Sequence, residues 1–262
     1  MDYQTILYSA DDAIATISLN RPERLNTIVP PMPEEIAAAV DAANLNDEIK
    51  VIVLRGIGRS FCAGFDFGPE FETGYGDRLS TDDEWDPGKD LIGAINHQTG
   101  YVPKFMSMWH SPKPVIAQVH GMATAAGCQL VANSDLAVAS TAARFAVSGI
   151  NLGLFCSTPG VPLSRNVSRK RAFEMLMTGE FIDAATALEY GLVNRVVEPE
   201  ALDDTVMALA RNIARKPADT LRLGKALFYR QIENSLEQAH TDDVHTSASN
   251  TRCAPPGSEI HA

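Results

Sequence analysis

Apolar positions along the chain follow two rhythms. The opening residues run straight into an alternating pattern, and AIATISL, residues 13–19, alternates cleanly before the proline-marked turn NRPERLN. Alternation at period two predicts strands with one buried face. KVIVLRG (50–56), KPVIAQVHG (113–121) and DLAVAS (135–140) are instead short, nearly unbroken apolar runs, the mark of strands buried on both faces, and ARFAV (143–147) predicts a further short strand. Helical spacing separates them. PEEIAAAVDAAN starts at Pro33 with acids in its first turn, LIGAINHQTGYVPKFMSMWH carries a helical stripe, and TAAGCQLVANS opens a helix. Later segments are mostly helical: RKRAFEMLMTG, DAATALEYG, then, after the strand-like LVNRVV, EALDDTVMALARNIARK and LRLGKALFYRQIENSLEQA.

Strands alternating with helices, followed by helices alone, predict an α/β fold with a parallel sheet and a helical C-terminal segment. The boundaries expected are a core over 1–197, the helical segment over 198–240, and a tail over 241–262. The tail is short, polar and rich in Pro, Gly and Ser, so disorder is expected there. Residues 68–90 are rich in Gly, Asp, Glu and Ser without periodicity, which predicts an exposed insertion.

Composition narrows the function. A net charge of −11 argues against a nucleic-acid partner, which would need a basic face. No apolar run reaches about 18 residues, so no membrane span is expected. The segment MDYQTILYSADD has neither the basic head of a signal peptide nor the Arg-rich character of a transit peptide, and points to the cytoplasm. The four cysteines form no CxxC pair, so neither a disulfide framework nor a zinc site is expected, and no metal is assigned.

Two loops have backbone laid out for a ligand. Cys62-Ala63-Gly64-Phe65 follows the strand at 50–56, and Ala125-Ala126-Gly127 follows the strand at 113–121 and opens a helix. Small residues let a ligand approach the main chain, and N–H groups at a helix start favour negative charge. Two such groups on one point make an oxyanion hole. Close packing is the competing explanation for small residues at such turns.

RSFCAGFDF, PVIAQVHGMATAAGCQLVANSDLAVAS and GLFCSTPGVPLSRNVSRKRAFEMLMTGEFIDAATALEYGLVNRVV resemble the crotonase (enoyl-CoA hydratase/isomerase) family, in order and spacing, over about residues 5–240. The resemblance implies a core of repeated ββα units with a helical C-terminal part, assembled as homotrimers or hexamers. It implies an acyl-CoA ligand, with coenzyme A entering as part of the substrate and no separate cofactor. The thioester oxygen would be held by the N–H groups of Phe65 and Ala126. The pantetheine and adenine would run along Glu23, Arg24 and Leu25 and along the loop of Ala63, Gly64 and Asp66.

The chain departs from the family where protons move. The hydratases' two glutamates fall at Gln129 and Gly149. An amide can hold water but cannot accept a proton near neutral pH, and glycine offers only backbone. Gln129, three residues after Ala126, is placed on the same helix face. A third family acid/base position falls near Ser157, whose hydroxyl is a poor base without a helper. Cys156 beside it is a thiolate nucleophile or a small buried residue, the latter the plainer expectation. His120 and Asp135 are expected to be structural, Asp66 to cap a turn or reach the acyl group, and Arg55, Arg59 or Lys225 to meet CoA phosphates or solvent. The tail HTSASNTRCAPPGSEIHA does not supply the amphipathic helix of relatives, which would weaken trimer contacts. These features leave two main functions, an enolate-stabilising enzyme of hydratase/isomerase type that hydrates simple enoyl-CoA poorly and a non-catalytic acyl-CoA-binding protein, with a scaffold subunit of an oligomer as a third.

Overall fold

The computed structural model describes residues 2–66 and 101–240. The expected insertion at 68–90, the helical pattern over 91–100, the tail at 241–262 and Cys253 lie outside the described residues.

The chain opens with a hairpin, β1 (Ile6–Asp11) and β2 (Ile14–Leu19), paired antiparallel from Ile6↔Leu19 to Asp11↔Ile14. Its two-residue turn puts both Asp12 (φ 46°) and Ala13 (φ 63°) in the left-handed region, the twist a tight hairpin requires. Helix α1 (Pro31–Leu45) follows, then β3 (Val51–Gly56), α2 (Tyr101–His110), β4 (Val115–Val119), β5 (Met122–Thr124), α3 (Ala126–Asn133), β6 (Leu136–Ser140) and β7 (Arg144–Ala146). A 3-10 turn at Ser148–Leu152 leads into α4 (Ser157–Asn166). The remainder is α5 (Arg169–Thr178), β8 (Ile182–Asp183), α6 (Ala184–Tyr190), β9 (Arg195–Val197), α7 (Leu202–Ala214) and α8 (Ala218–Gln231).

The main sheet has the order β1-β2-β3-β4-β6-β9, parallel from β2 onward, and β5-β7-β8 forms a small second sheet. Two strands followed by a helix recur as β1-β2-α1, β4-β5-α3 and β6-β7-α4. This is the repeated ββα core with helices after it that the family resemblance implied.

Period-two alternation explains why β3 and β4 read as unbroken apolar runs. Val51, Val53 and Ile116 face one way, and Ile52, Leu54, Val115, Ala117 and Val119 the other. The first set, with Ile14 and Val138, packs against Leu202, Val206, Ala210 and Ala214 of α7. That i, i+4 stripe covers the sheet's outer face, and Leu202 and Val206 each contribute roughly 1.5–3 kcal/mol by burial. The second set faces α1, α2 and α3 in the larger core.

Helix α8 buries no residue completely and is held by polar contacts. Lys225 Nζ donates to Asp135 Oδ2 at 2.7 Å and to the carbonyls of Met108 (3.0 Å) and Lys113 (3.1 Å). Asp135 also accepts from the Tyr229 hydroxyl at 2.7 Å and the Val115 N–H at 2.6 Å. Asp135 is structural, as expected. Lys225 is not a phosphate contact: its side chain is 7% exposed, spent on this latch, and burial lowers its pKa although Asp135 opposes that.

Candidate active site

The site lies beyond the C-terminal ends of β3 and β4, where parallel sheets place ligands. Past β3 the chain turns back beside β5. The N–H of Cys62 donates to Met122 O at 3.0 Å, and Thr124 N–H donates to Cys62 O at 3.0 Å. The same loop is stitched to the turn after β2. Ala63 N–H donates to Leu25 O (3.0 Å), Ile28 N–H to Gly64 O (2.7 Å) and Asp66 N–H to Ile28 O (3.0 Å). In this parallel bridge the flanking residues make the bonds to Ile28, which turns the Phe65 peptide N–H to the opposite side.

The second loop is equally constrained. Ala125 sits at φ 48°, ψ −114°, a conformation a non-glycine residue holds at a cost of about 1–3 kcal/mol. Its N–H donates to Ala146 O at 2.9 Å and its carbonyl accepts from Gln129 N–H at 3.0 Å. That geometry makes Ala126 the first residue of α3, whose N–H has no acceptor within the helix. A Cβ at Gly127 would stand 2.1 Å from Cys62 O. Only glycine there lets the start of α3 seat against the first loop.

The two loops open on one cavity of about 230 Å³. Ala63, Phe65, Ala125 and Ala126 line one side; Ser148, Gly149, Leu152, Leu154, Phe155, Cys156, Ser157, Thr158 and Pro159 line the other. Ala126 and Ser157 are first residues of helices, so the walls carry the positive ends of two helix dipoles. These lining residues include no Asp, Glu or His. The walls can polarise a carbonyl, but none of these side chains is a ready base near neutral pH.

The expected site residues divide in two. Ala63, Phe65, Ala126, Gly149 and Ser157 line the cavity. Gln129 lies one turn along α3 and is 3% exposed, and it is not among the lining residues. Glu23 and Arg24 are exposed on the turn Pro22–Arg24, Leu25 is half-buried, and Gly64 packs against Thr124 and Ala125.

Asp66 is taken up by a clamp. Its carboxylate meets Arg21 Nη2 at 3.0 Å and Arg24 Nη2 at 2.8 Å and accepts from Thr27 Oγ1 at 3.1 Å. This is the turn-fixing role rather than a reach to the acyl group.

Cys156 Sγ accepts the Gly149 N–H at 3.3 Å, and burial pushes its thiol pKa up, against the small downward pull of that bond. It is the buried small residue, not an activated nucleophile. The thiols of Cys62 and Cys128 are buried and pushed up to about 12. His120 Nε2 bonds Gly58 O at 2.8 Å, the strand-end role expected of it. Arg55 on β3 bonds Ser18 Oγ of β2 (3.0 Å) and Asp203 of α7 (3.3 Å) and is not among the residues that line the cavity. Arg59 is exposed. No group of three or more potential metal-ligating side chains occurs among the described residues.

Sequence reasoning missed Ser148, Leu152, Leu154, Phe155, Thr158 and Pro159. The signal was SGINLGLFCSTPG, where glycines alternate with large apolar residues in a stretch too broken for a regular element; Leu152 and Phe155 are 67% and 44% exposed at the cavity rim.

Known proteins share this fold. The model of the enoyl-CoA hydratase/isomerase family matches residues 9–253. The chain is 38% identical over 229 residues to the mouse protein called enoyl-CoA hydratase domain-containing protein 3, mitochondrial, covering 87% of this chain and 71% of that one. It is 33% identical over 233 residues to 1,2-epoxyphenylacetyl-CoA isomerase of Escherichia coli (strain K12), covering 88% and 84%. A crystal structure of an enoyl-CoA hydratase from Mycobacterium smegmatis matches with a TM-score of 0.82 at 44% identity, covering 94% of this chain and 91% of that chain. With the repeated ββα core and the two-loop cavity in place, the chain belongs to the enoyl-CoA hydratase/isomerase (crotonase) family.

Proposed function

We propose that this chain binds an acyl-CoA thioester with its carbonyl oxygen between the main-chain N–H groups of Phe65 and Ala126, and stabilises the enolate formed there. One observation carries the reading: Phe65 and Ala126, from separate strained or stitched loops, line the same cavity. Fixed donors of this kind act without reorganising as charge develops, and one is worth about 3–4 kcal/mol in the transition state. Coenzyme A runs along Glu23, Arg24 and Leu25 and the loop of Ala63, Gly64 and Asp66. The reading needs no cofactor beyond the CoA its substrate carries, and no nucleic acid.

The described lining residues guide the choice of reaction class. General acid–base help is worth about 100- to 10,000-fold per group. With no carboxylate among the described residues that line the cavity, hydration of simple enoyl-CoA is slow. Isomerisation or decarboxylation through the hole, with Ser157 or a substrate group organising the rest, fits better. The isomerase named in the E. coli relative supports that class. The same missing carboxylates favour one second reading, a protein that binds acyl-CoA without turning it over.

Assembly into a trimer or hexamer belongs to the proposal. Exposed apolar side chains at Phe173 and Met177, one turn apart on α5, and at Phe181 and Leu188 support it, since exposed apolar surface favours association. The cytoplasm is the compartment read from the sequence, whereas the mouse relative is named mitochondrial.

Crotonyl-CoA tests the reading: absorbance of the conjugated thioester follows turnover and calorimetry follows binding. Slow turnover with binding is expected. Binding with no turnover, for this and for isomerisable or decarboxylatable thioesters, establishes the binding protein instead. No binding of any acyl-CoA would remove both.

A further inference from the structure

The wall facing Phe65 and Ala126 is built around one close contact. Gly149 donates its N–H to Cys156 Sγ at 3.3 Å, and Leu154 N–H returns to Gly149 O at 2.9 Å. A Cβ on Gly149 would stand 2.7 Å from that sulfur and 2.7 Å from Leu154 O. The segment from 149 to 156 thus closes on itself around the thiol. The sulfur takes the space into which a side chain at 149 would project.

We propose that Cys156 is the specificity-determining residue of this site, closing the acyl cavity with a small uncharged wall that admits short, uncharged acyl chains. The inference rests on the acyl-thioester reading above and deepens it. Cys156 is 8% exposed and shares the wall with Leu152, Leu154, Phe155 and Pro159. A buried thiol packs as a small hydrophobe and is a weak hydrogen-bond donor. A carboxylate at the tip of an acyl chain would lose its water there and find no cation among the described lining residues. The volume, about 230 Å³, lies below the roughly 300–1,000 Å³ of sites that enclose a whole drug-sized ligand, so it suits an acyl end alone. Burial also keeps the thiol protonated, which adds no charge to the wall.

The test measures calorimetric affinities of the full chain for free CoA and for acetyl-, butanoyl-, hexanoyl-, decanoyl- and succinyl-CoA. The same series is run on Cys156→Ala, Cys156→Ser and Cys156→Leu. In the parent protein, affinity should rise about fourfold per methylene until the cavity is full and then stop. Succinyl-CoA should bind at least about tenfold more weakly than butanoyl-CoA. Cys156→Ala should move the chain-length limit upward and Cys156→Leu downward, with affinity for free CoA unchanged; a purely structural residue would lower every affinity together. Cys156→Ala and Cys156→Ser carry the test if the leucine variant does not fold. An unmoved limit in the folded variants, or succinyl-CoA binding as well as butanoyl-CoA, overturns the role of Cys156 and leaves the acyl-CoA reading intact. If no acyl-CoA binds better than free CoA, the acyl-CoA reading itself fails and this inference falls with it.

Discussion

Arg21 and Asp66 meet at 3.0 Å with side chains only 13% and 9% exposed, tying the turn after β2 to the residue that follows Phe65. Arg24 joins the same carboxylate from a side chain 49% exposed. One donor of the proposed hole is therefore held in register by a largely buried ion pair rather than by apolar packing alone.

Removing the two sides of this clamp should have unequal effects. Asp66→Ala strands the Arg21 cation and should lower stability by about 3–5 kcal/mol. Arg24→Ala removes a half-exposed partner and should cost no more than about 1 kcal/mol. Urea titrations of the two variants check the ranking, and equal losses would contradict it.

Ala126→Pro removes a single N–H at the first position of α3, where proline is tolerated. If that N–H holds the thioester oxygen, turnover should fall about 100- to 1,000-fold. In a protein that only binds, acyl-CoA affinity should drop and CoA affinity remain. Circular dichroism confirms that the fold survives; a folded variant with normal acyl-CoA behaviour would clear Ala126 of the role.

Restoring a glutamate at position 149 should not restore a hydratase. Two walls stand 2.7 Å from its Cβ, and one of them is backbone. Gly149→Glu should lower stability by at least about 1–3 kcal/mol through overpacking, with no gain in crotonyl-CoA hydration. Thermal melting and the absorbance assay read the two effects separately.

Lys225→Met should destabilise the protein by about 3–5 kcal/mol, since it leaves Asp135 without its cation. CoA affinity in the folded variant should be unchanged. A selective loss of CoA binding would return Lys225 to the ligand.

Alkaline pH should weaken the fold through its buried thiols. Cys62 and Cys128 are raised from 9.0 to about 12, so the folded chain keeps protons that the unfolded chain releases. The stability they contribute is complete below about pH 9 and lost as pH rises toward about 12, at about 1.4 kcal/mol per pH unit for each thiol. Denaturant midpoints across this window should fall, and Cys128→Ala should flatten the slope. An identical slope in that variant would assign the alkaline loss to other groups.

The elements that were legible in the sequence are those whose burial leaves a periodic trace. Val51–Gly56, Val115–Val119 and Leu136–Ser140 read as buried strands, and the stripe of Leu202, Val206, Ala210 and Ala214 read as helix. Helix Ser157–Asn166 did not, because Pro159, Gly160 and Pro162 are breakers by propensity; packing that buries Pro159, Pro162 and Leu163 overrides them. The hairpin turn at Asp12 and Ala13 escaped notice because alanine in the left-handed region is not a turn signal. Of the site, residues set by small size, such as Ala63 and Ala126, could be found in the sequence. The opposite wall could not, since it depends on how an irregular segment folds back on Cys156.

The strand order carries a kinetic consequence. The hairpin Ile6–Asp11 with Ile14–Leu19 can zip from its own turn, but each parallel neighbour must wait for distant chain: Ile14 for Val51, Ile52 for Val115, Val138 for Arg195. Such non-local pairing places the protein among slow folders, with unpaired strand edges exposed while the last ladder forms. During synthesis the sheet cannot be finished until Arg195–Val197 has emerged, and the helix that seals its outer face comes later still.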